Sequence, residues 1–159
     1  MKLLVLVLAL LVSEQARAEA PVIPAGQKFA CSPTHVWDGD GPIWCDEGPK
    51  VRVSDVNTRE TDDTCATGHP CPSNKARWDV ARDFLVNLIG QPTGAKSQHG
   101  HIIVRGQTMV CLSVGRARRD RTAAWCISPK GGDISCEMIE SGLAAKWPKY
   151  WMGHNCDDD

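Results

Sequence analysis

The sequence has no Cys-x-x-Cys pair, no visible internal repeat, no large excess of either charge and no apolar run long enough to cross a bilayer. These absences narrow the function classes. Without Cys-x-x-Cys the common zinc-ligand spacings are missing, and His69, near Cys65 and Cys71, does not supply one. A formal net charge of −1 argues against strong general attraction to nucleic acid. The longest apolar run, LLVLVLALLV from Leu3 to Val12, has ten residues, whereas a membrane-spanning helix needs about 20.

That run instead reads as the core of an export signal. Lys2 is its charged start, and Ala16-Arg17-Ala18 puts small residues where a signal peptidase inspects the chain. Residues 1–18 are therefore expected to be removed before Glu19. The mature chain reads as one domain, residues 19–156, with an acidic tail, Asp157-Asp158-Asp159. A chain of this size buries roughly 68% of its unfolded surface, enough for a real core. The expected location is exported, periplasmic or secreted, with no membrane contact once the signal is gone.

All eight cysteines lie after the signal, and an even number in an exported chain predicts disulfides. Eight cysteines allow about a hundred pairings, so connectivity stays open. Chain order nonetheless suggests neighbours. Cys31 and Cys45 flank a hairpin, and Cys65 and Cys71 lie on one loop. Cys111 and Cys126 fall on two strands either side of an arginine-rich loop and would close it at its base. Cys136 and Cys156 would tie a helix to the tail.

Along the chain, KFACSPTHVW (Lys28 to Trp37) contains a strand, and DGDGP turns it back into IWC (Ile43 to Cys45). Asp-Gly between apolar runs is a strong hairpin signal. Gly48 to Lys50 turns into a third strand, VRVSDV (Val51 to Val56). Thr61 to Asn74 reads as a loop. Ser73 or Asn74 is expected to cap the helix after it, whose apolar face carries Trp78, Ala81, Leu85, Leu88 and Ile89, and Gly90 and Pro92 end it. Pro92 to Gly100 reads as a linker. Strands are expected at 101–105, 108–114 and 122–128. Asp133 is expected to cap a second helix, Ile134 to Ser141, closed by Gly142. Five or six short strands and two helices predict a small barrel with helices outside.

The functional question centres on RVSDVNTRE, from Arg52 to Glu60. Cleaving a phosphodiester needs a base for water, cations for charge growing on the phosphoryl oxygens and, often, a metal. Arginine suits the second task because its planar fork gives paired hydrogen bonds to phosphate and keeps its charge. Period-two alternation puts Arg52, Ser54 and Val56 on one face, with Val53 and Asp55 on the other. Asn57, Thr58 and Glu60 fall at the strand end, where functional groups often sit. Downstream, RARRDR packs four arginines into Arg116 to Arg121. Alone, each feature reads as ordinary polar surface.

Their order is more specific and resembles the thermonuclease, or staphylococcal-nuclease-like, family from about Lys28 to Lys146. VWDGD is similar to that family's V-x-D-G-D-T, and VRVSDVNTRE to its R-x4-D-x-P-E. DRTAAWC is similar to its Y-G-R-x-L-A, and MIESGLA to its L-V-x-x-G-L-A. The resemblance implies an α+β, mainly β fold: a five-stranded barrel of the oligonucleotide-binding type (OB-fold) with two or three helices outside. It implies calcium-dependent hydrolysis of DNA and RNA by a monomer, acting on single strands. Carried over, Asp40 would be the main calcium ligand, with Asn57 and the Thr58 carbonyl beside it. Arg52 and Arg121 would hold the phosphate, and Glu60 would be the base. Arg119 is the rival to Arg121, because the expected Tyr-Gly is Arg119-Asp120.

The chain departs from the pattern at Gly41, Asn57 and Arg59, which stand for Thr, Asp and Pro. An asparagine keeps a carbonyl oxygen but removes one negative charge, which implies weaker calcium binding. This opens an alternative: a barrel with a decayed metal site that binds nucleic acid or another anion without cutting it. A disulfide-stapled structural or protein-binding domain is the third reading. His99 and His101 are given no role, and Trp147 and Trp151 are assigned to packing rather than base stacking.

Overall fold

Alternating apolar residues build a sheet with one covered face. In KVRV, Val51 and Val53 are buried while Lys50 and Arg52 are partly open. In IWC, Ile43 and Cys45 are buried about Trp44, and in TAAWCI the buried set is Thr122, Ala124 and Cys126. Strand geometry sends successive side chains to opposite faces, so Trp44, Arg52, Ala123 and Trp125 all lie opposite the core.

The computed structural model describes residues 19–151 and 153–156. The expected signal, 1–18, and the acidic tail, 157–159, lie outside the described residues. The elements run β1 (Lys28–Cys31), β2 (Pro33–Val36), β3 (Ile43–Cys45), β4 (Lys50–Val53), β5 (Val56–Asn57), α1 (Trp78–Ile89), β6 (Gln91–Lys96), β7 (Ile102–Arg105), β8 (Met109–Arg116), β9 (Thr122–Ile127), α2 (Ile134–Glu140) and β10 (Ala145–Lys146). Eight strands form one curled sheet in the order β1-β8-β9-β4-β3-β2-β7-β6, and β5 pairs with β10. Every pairing is antiparallel except β4 beside β9. Helix α1 packs near β2 and β6, α2 near β9 and β5, and the helices touch each other. Over the described residues the fold is mainly β with two helices.

The core lies between the sheet's covered face and the helices. Val36, Ile43, Val51, Leu85, Ile89, Met109, Ile134 and Met138 are at its centre, each stabilising by roughly 1.5–3 kcal/mol relative to exposure. Of the apolar face expected on α1, Ala81, Leu85 and Ile89 are buried, Val86 joins them, and Trp78 and Leu88 are half-buried.

Several local expectations are corrected. Five or six strands undercounts the sheet. KFACSPTHVW divides at Ser32, whose N–H and hydroxyl both turn to Glu47. Gln91 to Lys96 is a strand, not the start of a linker; its residues are all exposed, so it pairs with β7 through backbone bonds that no apolar pattern advertises. Helix α1 is capped by neither Ser73 nor Asn74. Its N-cap is Arg77, whose side chain makes no capping bond, and the first helical N–H, on Trp78, donates to Asp63 Oδ1 at 2.8 Å. The cap therefore comes from the preceding loop. Asp133 does cap α2, accepting from the N–H groups of Ser135 and Cys136.

All four neighbour pairs of cysteines are bonded: Cys31–Cys45, Cys65–Cys71, Cys111–Cys126 and Cys136–Cys156. Cys111 and Cys126 face each other in the β8–β9 register, closing a loop of the size for which chain-entropy arguments give roughly 3 kcal/mol. No helix among the described residues is long and apolar enough to cross a membrane.

Candidate functional site

The turn between β2 and β3 fixes the first site residue by close packing. A Cβ on Gly39 would stand 2.7 Å from the Ala81 Cβ and 2.8 Å from the Thr58 Cγ2, so only glycine lets the turn approach α1. Gly41 has φ +102°, and a Cβ there would meet the Val51 carbonyl at 2.6 Å, which explains glycine where the resemblance has threonine. The Asp40 carbonyl accepts the Val53 N–H at 3.0 Å. Asp40 is thereby held against β4, beside Arg52.

Arg52 is then held at several points. Nη2 donates to Asp40 Oδ2 at 2.9 Å, and Nη1 donates to the carbonyls of Val53 and Val56 at 2.7 and 3.1 Å. The two side chains are 17% and 12% exposed, so this is a largely desolvated, charge-assisted pair. Alternation through Val56 does not hold, because β4 stops at Val53. Ser54-Asp55 forms a turn with Asp55 in the left-handed region, φ 66°, a conformation aspartate tolerates. Val56 is consequently buried in the core, while Ser54 and Asp55 line the same groove as Arg52. The Asp55 carboxylate accepts from Ser54 Oγ and Trp125 Nε1, and burial raises its pKa.

That groove, about 1250 Å³, brings together Asp38, Asp40, Arg52, Asn57, Glu60 and Arg121. Thr58 lies behind it, buried, its N–H donating to Asp40 Oδ2 at 3.3 Å. Glu60 is exposed at the rim. Arg121, partly buried, donates through Nε to the Arg118 carbonyl at 3.1 Å. Burial, then the nearby Arg52 guanidinium, lower its pKa, opposed by Asp40 and Asp38; these four side chains share one electrostatic field. Arg119 also lines the groove, exposed, with φ 64° and its carbonyl accepting from Arg116. Lys50 pairs with Asp120 at 2.6 Å, closing the arginine loop onto β4.

Asp38 does not stand out in the sequence, where the first residue of DGD reads only as part of a turn. Burial pushes its carboxyl well above the usual range, and Asp40 beside it adds to the effect. The only signal for it is its place two residues before Asp40, where its Oδ1 accepts the Asp40 N–H.

The two remaining departures from the pattern share one target. Asn57 Nδ2 donates to the carbonyls of Thr58 and Pro70 at 3.1 and 2.9 Å. Arg59 donates to the carbonyls of Ser73, Asp63 and Pro72 at 3.1, 2.6 and 3.1 Å. Both side chains thus anchor the loop that Cys65–Cys71 closes.

This arrangement bears on calcium, which takes six to eight oxygen ligands. Asp40 is the one carboxylate in the implied set, and its Oδ2 is engaged by Arg52 and the Thr58 N–H. The Thr58 carbonyl faces the Asn57 NH₂ group. Arranged this way, Asp40, Asn57 and Thr58 do not fit a ready-made calcium seat. Among the described residues, the His/Cys/Asp/Glu trio whose ligand atoms lie within 4.8 Å of one another is Cys136, His154 and Cys156, and both sulfurs are taken by the disulfide.

Trp147, expected to pack, forms part of the groove wall. Arg52 lies 5.9 Å from its ring centroid, and His69 and Tyr150 contact it at 4.3 and 4.9 Å. Trp151 packs away from it, on His154 and under Lys146. Compared with protein-family models, curated proteins and solved structures, the chain finds no match.

Proposed function

We propose that this groove binds the phosphodiester backbone of single-stranded DNA or RNA and hydrolyses it, as an exported nuclease of thermonuclease type built on an oligonucleotide-binding barrel with added strands. The observation that carries the reading is the convergence of Arg52 and Glu60, from one short stretch, with the sequence-distant Arg121 on one groove. Arg52 and Arg121 hold the phosphoryl oxygens and offset the charge that grows on them, the kind of preorganised donor whose loss costs at least about 100-fold in rate. Glu60, open to solvent at the rim, orients a water and takes its proton. The water oxygen bonds to phosphorus, the ester P–O bond breaks, and the departing alkoxide takes a proton from bulk water. The four disulfides fit an exported chain.

Calcium, the cofactor implied by the resemblance, enters no step here, because Arg52 holds Asp40 and Asn57 turns an NH₂ group to the Thr58 carbonyl. The same contacts favour a second reading: a nucleic-acid-binding barrel without turnover. One experiment separates them. Labelled single-stranded DNA is incubated with purified protein, with and without millimolar calcium, beside Glu60→Ala. Cleavage that Glu60→Ala abolishes supports the nuclease. Binding without cleavage in either buffer leaves the second reading, and neither binding nor cleavage sinks both.

A further inference from the structure

Strand register extends the groove's open face well beyond the arginines. On β3, Trp44 lies directly opposite Lys50 of β4, which shares a face with Arg52. On β2, His35 lies directly opposite Trp44, and beyond it stands Ile103 of β7. His101, two residues before Ile103, keeps the same parity. One continuous outer row therefore runs from Arg52 through Trp44 and His35 towards His101.

The rings along this row brace one another. His101 stacks on Trp44 with centroids 4.3 Å apart and planes at 24°. It also meets Trp37 edge-on, at 5.1 Å and 84°. Trp37 itself is 38% exposed, and its backbone N–H donates to the Pro42 carbonyl at 3.2 Å. Trp37, Trp44 and His101 line the same groove as Arg52 and Arg121. An exposed indole held from behind, continuous with a pair of cationic side chains, has the make-up of a base platform beside a phosphate clamp. Such platforms accept any base, because every base has a π-face.

We propose that Trp37, braced by His101 and Trp44, is a stacking subsite for the base of a nucleotide flanking the phosphate held by Arg52 and Arg121. The inference rests on the nuclease-type groove above and adds the single-stranded, base-bearing character of what it accepts. A bare phosphate chain would fill the arginines and leave the platform empty.

The test measures binding, with chelator present and at low salt, of three labelled probes: a thymidine dinucleotide, a thymidine octanucleotide and an octamer of the same backbone lacking bases. Wild-type protein is expected to bind the octanucleotide more tightly than the abasic octamer. Trp37→Ala is expected to lose at least about fivefold in affinity for the octanucleotide and for the dinucleotide, with abasic-octamer affinity unchanged. Trp37→Phe, which keeps an aromatic face, restores most of the loss. Equal wild-type affinity for octanucleotide and abasic octamer overturns the subsite, as does a Trp37→Ala variant that binds the octanucleotide like wild type. In both cases the arginine groove stands. Failure of wild-type protein to bind any probe overturns the groove and the subsite together.

Discussion

Arg52 and Arg59 lie on the same short stretch and do different work. Arg52 turns its guanidinium into the groove, onto Asp40 and the Val53 and Val56 carbonyls that flank the Ser54-Asp55 turn. Arg59 turns away and joins three backbone carbonyls of the Thr61-to-Asn74 loop. One is a charge paired with a charge beside an open cavity, the other a charge used as a three-pronged tie. The contrast teaches that an arginine's role is set by the groups its fork meets. A guanidinium paired with a carboxylate can exchange it for a phosphate, whereas one tied to a set of carbonyls around a closed loop is held there.

The largest effect is expected where the buried pair is broken. Arg52→Ala leaves Asp40 without its counter-charge, a loss on the order of 3 kcal/mol, and removes a proposed phosphate donor. Thermal unfolding should shift down strongly, and hydrolysis should fall at least about 100-fold. Arg59→Ala should cost about 2 kcal/mol, since three carbonyls lose their donor. Its signature is local: hydrogen exchange should rise across residues 61–74, with oligonucleotide affinity unchanged. If Arg59→Ala weakens binding as much as Arg52→Ala does, the division between the two arginines fails.

Asn57→Asp sharpens the same comparison on the loop side. A carboxylate there would face the Thr58 and Pro70 carbonyls without a proton to share, at a cost of about 1–2 kcal/mol. A cation would relieve it. The melting temperature of the variant should therefore drop in chelator and recover in millimolar calcium, while wild-type protein shows little calcium response. The smallest effect concerns His101. Burial, then His35 and His99, lower its pKa, so its protonation favours the unfolded chain. Stability from this group is complete above the ordinary histidine value of about 6.5 and is lost as pH falls through the lower folded value. His101→Phe should flatten the melting-temperature profile in that acidic window.

Much of this was legible in the chain because the signals are local. Ala81, Leu85 and Ile89 repeat at helical spacing, Asp133 precedes its helix, and each bonded cysteine pair flanks a hairpin, a loop or a helix and its tail. The groove residues Asp40, Arg52, Glu60 and Arg121 were legible from their order. What escaped is non-local or lacks a side-chain pattern. Asn57 and Arg59 meet partners on the folded-back loop that carries Cys65–Cys71. Strand β6 pairs through backbone alone, with proline and glycine in its sequence. The break at Asp55 turns on a left-handed residue, which interrupts an otherwise even alternation. His101 meets Trp44 and Trp37 because β3, β2 and β7 are neighbours in the sheet, an order no local motif encodes.

The most direct test of the division between groove and loop is the salt dependence of binding. Affinity for a single-stranded oligonucleotide is measured across a range of salt concentrations for wild type, Arg121→Ala and Arg59→Ala. For single strands each phosphate contact contributes a slope of about −0.7 in log affinity against log salt. Arg121→Ala should shallow the slope by about that amount, and Arg59→Ala should leave it unchanged. A wild-type slope in Arg121→Ala, or a shallower one in Arg59→Ala, would contradict the assignment of phosphate contact to the groove arginines.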